Sequence, residues 1–349
     1  MVIRGFVNLS SVARPEACSC AHRSRCFFRI SSERAVSRRS NATRVRNVHV
    51  SDVATAGKVL AAVCADAVRQ VLAHRSKIAK TAPEELHEVR VGLRKLDTAI
   101  RLFSRIISER KHKLITKELR WLRGELSSAR NLDVFSADIL KPFVSQSESA
   151  PVVSVLHRAY RRELDQAYAR ATTALRSARF RRLIDGIRKW IKILEGSESS
   201  VVQSTQLTAD VAARALKAMM KKMRMGRAAR DLSRHDLHRF RLRTKRMRYA
   251  IGFTSGMFGK RAGKGAEIMA NALRDLQAYL GEITDMESHA KILNHLMKKA
   301  GQQPMSSRAR LQAPLVGHQT RKRERLLKKA ASAYRAFEVA KPFWTRHHR

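Results

Sequence analysis

Leu86, Val89, Leu93, Leu96, Ile100 and Phe103 alternate steps of three and four, the spacing of one helix face packed against others. The same rhythm runs along nearly the whole chain from Ser51 onward. It predicts helices near 52–80, 84–108, 111–128, 131–145, 152–177 and 180–194. Further helices are predicted near 206–225, 232–256, 264–281, 284–300 and 310–338. No stretch alternates apolar and polar residues convincingly enough to be a strand. Pro83, Pro142, Pro151, Pro304 and Pro314 are read as helix boundaries. The small, polar stretch GSESSVVQST, from Gly196 to Thr205, is the linker candidate. Long helices and short turns make an all-α chain of the bundle type.

A second stripe runs beside the first. His87, Arg90, Arg94, Arg101 and Arg105 also step at helical spacing and fall within an arc of about 60°, forming a row roughly 27 Å long. Like charges so placed repel by a few tenths of a kcal/mol per pair, so the row carries a cost when empty. Taken alone, it reads as a solvated basic face.

The segment then recurs. LHRFRLRTKRMRYAIGF, Leu237 to Phe253, repeats the region of HEVRVGLRKLDTAIRLF, His87 to Phe103, with residues matching at an offset of 151, so that Leu237 falls on Leu86. His238 matches His87, Arg241 matches Arg90, Lys245 matches Arg94 and Arg246 matches Lys95. LRWLRGEL, Leu119 to Leu126, recurs as LRDLQAYL, Leu273 to Leu280, at an offset of 154, so Arg274 matches Arg120. Two helices repeated in the same order imply an internal duplication. A core stripe would recur in any duplicated bundle. That the costly cation row recurs as well favours binding over a solvated face.

Composition narrows the ligand. The chain has 349 residues with 72 Lys and Arg against 29 Asp and Glu, a formal charge of +43. Self-repulsion on this scale is usually tolerated for a polyanionic partner: nucleic acid, an acidic membrane surface or polyphosphate. Aromatics are only 6%, which argues against bases stacked on aromatic platforms. No apolar run of about 18 residues exists to span a bilayer.

Residues 1–50 hold ten Arg, no Lys, and only Glu16 and Glu33 as acids, and are read as a disordered basic extension. Cys18, Cys20 and Cys26 lie there with His22, without a second ligand pair at zinc-finger spacing. Cys64 falls on an apolar face and reads as core. No disulfide framework is implied, which suits a reducing cytoplasm.

The sequence resembles the CHAD domain family, named for histidines in an α-helical domain. The resemblance rests on His87, Arg90, Arg94 and Lys95, and again on His238, Arg241, Lys245 and Arg246. ELRWLRGELSSARNLDVF (Glu118 to Phe135), SARFRRLIDGI (Ser177 to Ile187) and the terminal KPFW (Lys341 to Trp344) are similar to further family segments. It covers about residues 52–345.

The resemblance implies two four-helix-type repeats, about 51–195 and 206–345, facing each other across a basic cavity that binds inorganic polyphosphate. It also implies a cytoplasmic location at polyphosphate granules. The sequence departs from the family pattern at three places. Asp97 stands where the family usually has Arg, which Arg248 keeps in the second repeat; Asn131 replaces the first Asp of a turn pair, and Ser127 a Gly. The first repeat is therefore expected to bind less tightly than the second.

The candidate ligands for phosphate are the two rows, completed by Arg101 and Arg248. The repeated Leu-Arg positions add Arg120 and Arg274, and the last helix adds Arg321 and Arg325 beside His318 and Lys328. Arg158 and Arg162 make a shorter row in the first half. Arginine's planar fork donates two parallel hydrogen bonds to an oxyanion. His87 and His238 read either as imidazolium ions beside bound phosphate or as neutral histidines bonded between helices.

GKRAGKG, Gly259 to Gly265, fails as a phosphate loop: Phe258 stands where the first Gly is needed and Gly265 where Ser or Thr would hold Mg²⁺. It reads as a basic turn before a helix. The acidic pair Asp285 and Glu287 is too sparse for a metal site. No nucleophile, base and orienter stand together, so catalysis is not expected, and neither is a cofactor. The competing partner is nucleic acid, bound without sequence preference. Cations placed beside the core stripes, facing an interhelical space, suit a thin chain better than a duplex.

Overall fold

The computed structural model describes residues 56–78, 82–144, 151–196, 208–224, 232–299 and 305–345, with the backbone alone from 305 to 319. Among the described residues all regular structure is helical. The first series is α1 (Ala56–Arg75), α2 (Pro83–Leu102), α3 (Glu109–Glu125), α4 (Ser127–Phe135), α5 (Lys141–Val144), α6 (Pro151–Arg176) and α7 (Ala178–Gly196). The second is α8 (Thr208–Met223), α9 (Arg234–Thr254), α10 (Gly259–Lys299) and α11 (Met305–Val339). The N-terminal extension with its cysteines, and most of the linker candidate, lie outside the described residues.

Local signals start the key helices. Pro83 opens α2 at a position where a missing N–H costs nothing, with Glu84 and Glu85 complementing the positive end of the helix dipole. Ser233 caps α9 by accepting from the Asp236 amide at 3.1 Å. Gly92 lets α1 and α2 close tightly, since a Cβ there would stand 2.7 Å from Val71 Cγ2 and 3.0 Å from the Ala67 carbonyl oxygen. The apolar stripe read from the sequence is the core: Leu86, Val89, Leu93, Leu96, Ile100 and Phe103 are all fully buried.

Helices α1, α2 and α7 pack together, as do α8, α9, α10 and α11, and α2 also packs directly against α9. One continuous apolar cluster runs through all of them, from Ala56 to Trp344. Cys64 sits inside it, and burial pushes its thiol up to about 12, so it is an inert core residue.

Four expectations need correcting. The pair of helices at 264–281 and 284–300 is one helix, Gly259–Lys299, about 60 Å long. Leu280 and Ile283 keep the buried face across the expected break. The Thr284 hydroxyl donates to the Leu280 carbonyl at 3.0 Å instead of interrupting the ladder. GKRAGKG is accordingly the first two turns of α10, not a turn before it; Gly259 starts them at φ 74°. Pro314 lies inside α11, where proline removes one hydrogen bond without ending the helix. The helix expected at 131–145 begins at Ser127 and is interrupted by a π turn, Ser136–Leu140.

Candidate polyanion-binding site

Helices α2 and α9 bring their cation rows to one seam. From α2 come His87, Arg90 and Arg94; from α9 come Arg241, Lys245 and Arg248. None is fully solvated, because each row lies beside its helix's core stripe, and Arg248 is only 8% exposed. Lys245 is held well below its ordinary value, first by burial and then by Arg94 and Arg241, against the opposing pull of Asp285. Arg90 is lowered to about 9 by burial and by Arg94, Arg130, Arg123 and Arg241.

Arg241 Nη2 stands 3.7 Å from Asp285 Oδ1, and Arg90 Nη1 donates to the Arg123 carbonyl at 3.3 Å. Burial lowers His87 to about 4, with Arg130, Arg94, Arg90 and Lys245 adding to the effect. At neutral pH the imidazole is therefore uncharged in the ligand-free protein. His238 is also lowered, by burial and then by Arg241 and Lys245, and it stands exposed. In this state burial and the neighbouring cations favour the neutral form of both imidazoles.

Beyond the six row residues, Arg246 feels Arg101, Asp97 and Arg123, and is lowered chiefly by burial. Asp97 is 4% exposed and engages one guanidinium on each oxygen: Arg101 Nε at 3.0 Å on Oδ1, Arg123 Nη1 at 3.2 Å on Oδ2. Arg101 is therefore tied to a carboxylate rather than presented at the seam. Lys95 has a partner on another helix. Its ammonium bonds Asp66 Oδ2 on α1 at 3.2 Å, stapling α2 to its neighbour. Arg120, Arg274, Arg321 and Arg325 stand exposed; of these, Arg274 is close enough to lower Arg248. The side chains of Arg105 and His318 lie outside the described residues.

The sequence list missed Arg123 and Arg130, which reach the α2 row from α3 and α4. They sit on two different helices, whose orientation toward α2 only the fold reveals. It also missed the buried group beside Arg130. Tyr168 donates to Asp133 Oδ2 at 2.9 Å, and burial raises Asp133 to about 6 despite that bond and Arg130. Asp285 and Glu287 are partners of Arg241 and of Arg234, whose Nε lies 3.6 Å from Glu287.

Fold and site together define a class: an all-helical bundle whose buried seam concentrates guanidinium and ammonium groups. The sequence profile of the CHAD domain matches residues 62–294, and the chain belongs to the CHAD domain family. Two solved structures share the fold. The CHAD domain from the plant Ricinus communis is 22% identical, with a TM-score of 0.67 over 84% of this chain and 96% of that one. PptA from Streptomyces chartreusis is 17% identical, with a TM-score of 0.52 over 82% of this chain and 99% of that one. No curated protein matches by sequence.

Proposed function

We propose that the chain binds inorganic polyphosphate along the α2–α9 seam, without turning it over, through His87, Arg90, Arg94, Arg241, Lys245 and Arg248. The observation that carries this reading is the gathering of basic side chains from α2 and α9 in one partly desolvated seam, where they depress one another's protonation. Such an arrangement opposes folding and is relieved by an extended anion. A linear chain of phosphates presents negative charge at short, regular intervals, so it can follow two adjoining rows of forked donors. Membership of the CHAD family supports the same ligand class, and placement at polyphosphate granules follows from it.

The test compares charge reversals of equal size. Arg241→Glu with Lys245→Glu is expected to weaken polyphosphate binding at least tenfold more than Arg38→Glu with Arg39→Glu in the N-terminal extension. Affinities are measured at several salt concentrations, with duplex DNA as competitor at matched charge. Equal losses from the two reversals, or DNA competing as well as polyphosphate, would show a general polycation instead of a seam.

A further inference from the structure

The two rows differ at one register position. At the offset of 151, Asp97 corresponds to Arg248. Asp97 continues the α2 row, since 90, 94, 97 and 101 step by four, three and four, and Arg248 continues the α9 row after 241 and 245. Both side chains are buried, at 4% and 8% exposure, so neither is a solvated accident.

Their surroundings are opposite. Asp97 spends both oxygens on guanidinium groups, at 3.0 Å to Arg101 and 3.2 Å to Arg123, the way a bound oxyanion would. Arg246 stands close enough for that carboxylate to raise it against its burial. Arg248 instead packs its guanidinium 5.3 Å from the Tyr249 ring centroid, with the Tyr249 side chain as its polar neighbour, and its buried Nε finds no acceptor among the described residues. A buried guanidinium N–H without an acceptor is costly, and a phosphate oxygen is an acceptor of the right kind.

We propose that Asp97 is a built-in anion filling the subsite a phosphate would otherwise take between Arg101 and Arg123, so that a bound polyphosphate engages Arg248 but stops short of Arg101. This rests on the polyphosphate reading above and deepens it: the seam has one open end and one closed end. The bound length of chain is set by a side chain of the protein.

The experiment measures binding of a long inorganic polyphosphate across a salt series for five folded proteins: wild type, Arg248→Gln, Arg101→Gln, Asp97→Asn and the double variant of the last two. Arg248→Gln is expected to weaken binding about tenfold and to reduce the slope of log K against log salt by about 0.7, the value for one contact to a single strand. Arg101→Gln is expected to change affinity less than twofold, because that guanidinium is already paired. Asp97→Asn, nearly isosteric, is expected to tighten binding at least fivefold and steepen the slope. Adding Arg101→Gln to it abolishes that gain.

Arg101→Gln weakening binding as much as Arg248→Gln overturns the proposal, and that comparison stands even if Asp97→Asn fails to fold. A folded Asp97→Asn protein without tighter binding also overturns it. Wild-type protein that binds no polyphosphate would overturn the parent reading as well, whereas binding retained with equal effects at 101 and 248 removes the closed end alone.

Discussion

Replacing Lys245 by Met should make the ligand-free protein more stable and a worse binder. Lys245 is a buried ammonium faced by Arg94, Arg241 and Arg90, with Asp285 as the opposing charge. Burial and repulsion together hold it well below its ordinary value of 10.5, so folding disfavours the charged form, and replacing poorly compensated buried charges by apolar side chains is often stabilising by about 1–4 kcal/mol. Methionine keeps an unbranched stem of similar reach and removes the charge. A gain of about 1–3 kcal/mol is expected, or roughly 2–6 °C in Tm for a domain of this size.

The pH dependence carries the sign. The unfolded chain keeps the lysine proton up to about 10.4, while the folded chain gives it up earlier. Stability of the wild type should therefore rise as pH increases from neutrality toward that value, and the Lys245→Met protein should lack this rise. Polyphosphate affinity should fall by about 1.5–3 kcal/mol, the usual size of a lost charge-assisted hydrogen bond. Thermal unfolding with and without polyphosphate, at pH 7 and pH 9, measures all three effects. A Lys245→Met protein that melts below the wild type at neutral pH would refute the account of an uncompensated buried charge.

Three further outcomes follow from the structure. His87, neutral at pH 7 with its value near 4, should take up a proton beside phosphate. Polyphosphate affinity should then rise as pH falls from 7.5 to 5.5, with proton uptake seen by calorimetry in buffers of different ionisation enthalpy; His87→Gln should flatten that rise. In the ligand-free protein the same lowering removes stability as pH falls from about 6.5 to about 4. Asp133, raised to about 6, acts in the opposite direction there, so the two are separated by comparing His87→Gln with wild type. Gly92→Ala should cost about 1–3 kcal/mol by urea unfolding, because its methyl meets Val71 and the Ala67 backbone, and Val71→Ala should recover only part of that.

The helix faces were legible because burial imposes a period on the sequence, and the stripe from Leu86 to Phe103 lies in the core without a miss. The row residues His87, Arg90, Arg94, Arg241 and Lys245 were legible for the same reason: they keep a fixed angle to that stripe. Lys95 and Arg120 show where this ends. Each neighbours a row or a repeated leucine in sequence, yet one turn of 100° takes Lys95 to Asp66 and leaves Arg120 exposed. Arg123 and Arg130 were hidden for the converse reason, since their meeting with α2 depends on how α3 and α4 are docked. The break expected near Gly281 failed because glycine and threonine in mid-helix are only weak signals once Leu280 and Ile283 are anchored.

The last helix and the residues after it set a practical limit on shortening this protein. The family match stops at residue 294, but the core does not. Leu326, Leu327, Ala330, Tyr334 and Phe337 of α11 are buried, and the Tyr334 hydroxyl donates to the Met223 carbonyl at 3.0 Å. Beyond α11, Phe343 stacks edge-on against Phe258 at 5.4 Å and against Trp344 at 5.0 Å, while its Cβ lies where any side chain at Gly265 would have to go. A stop codon or protease cut placed at the edge of the recognisable motif would strip the covering from α8, α9 and α10 and expose apolar surface prone to aggregation. Among the described residues buried side chains continue to Trp344, fifty residues past the point where family likeness fades, and the folding unit extends at least that far.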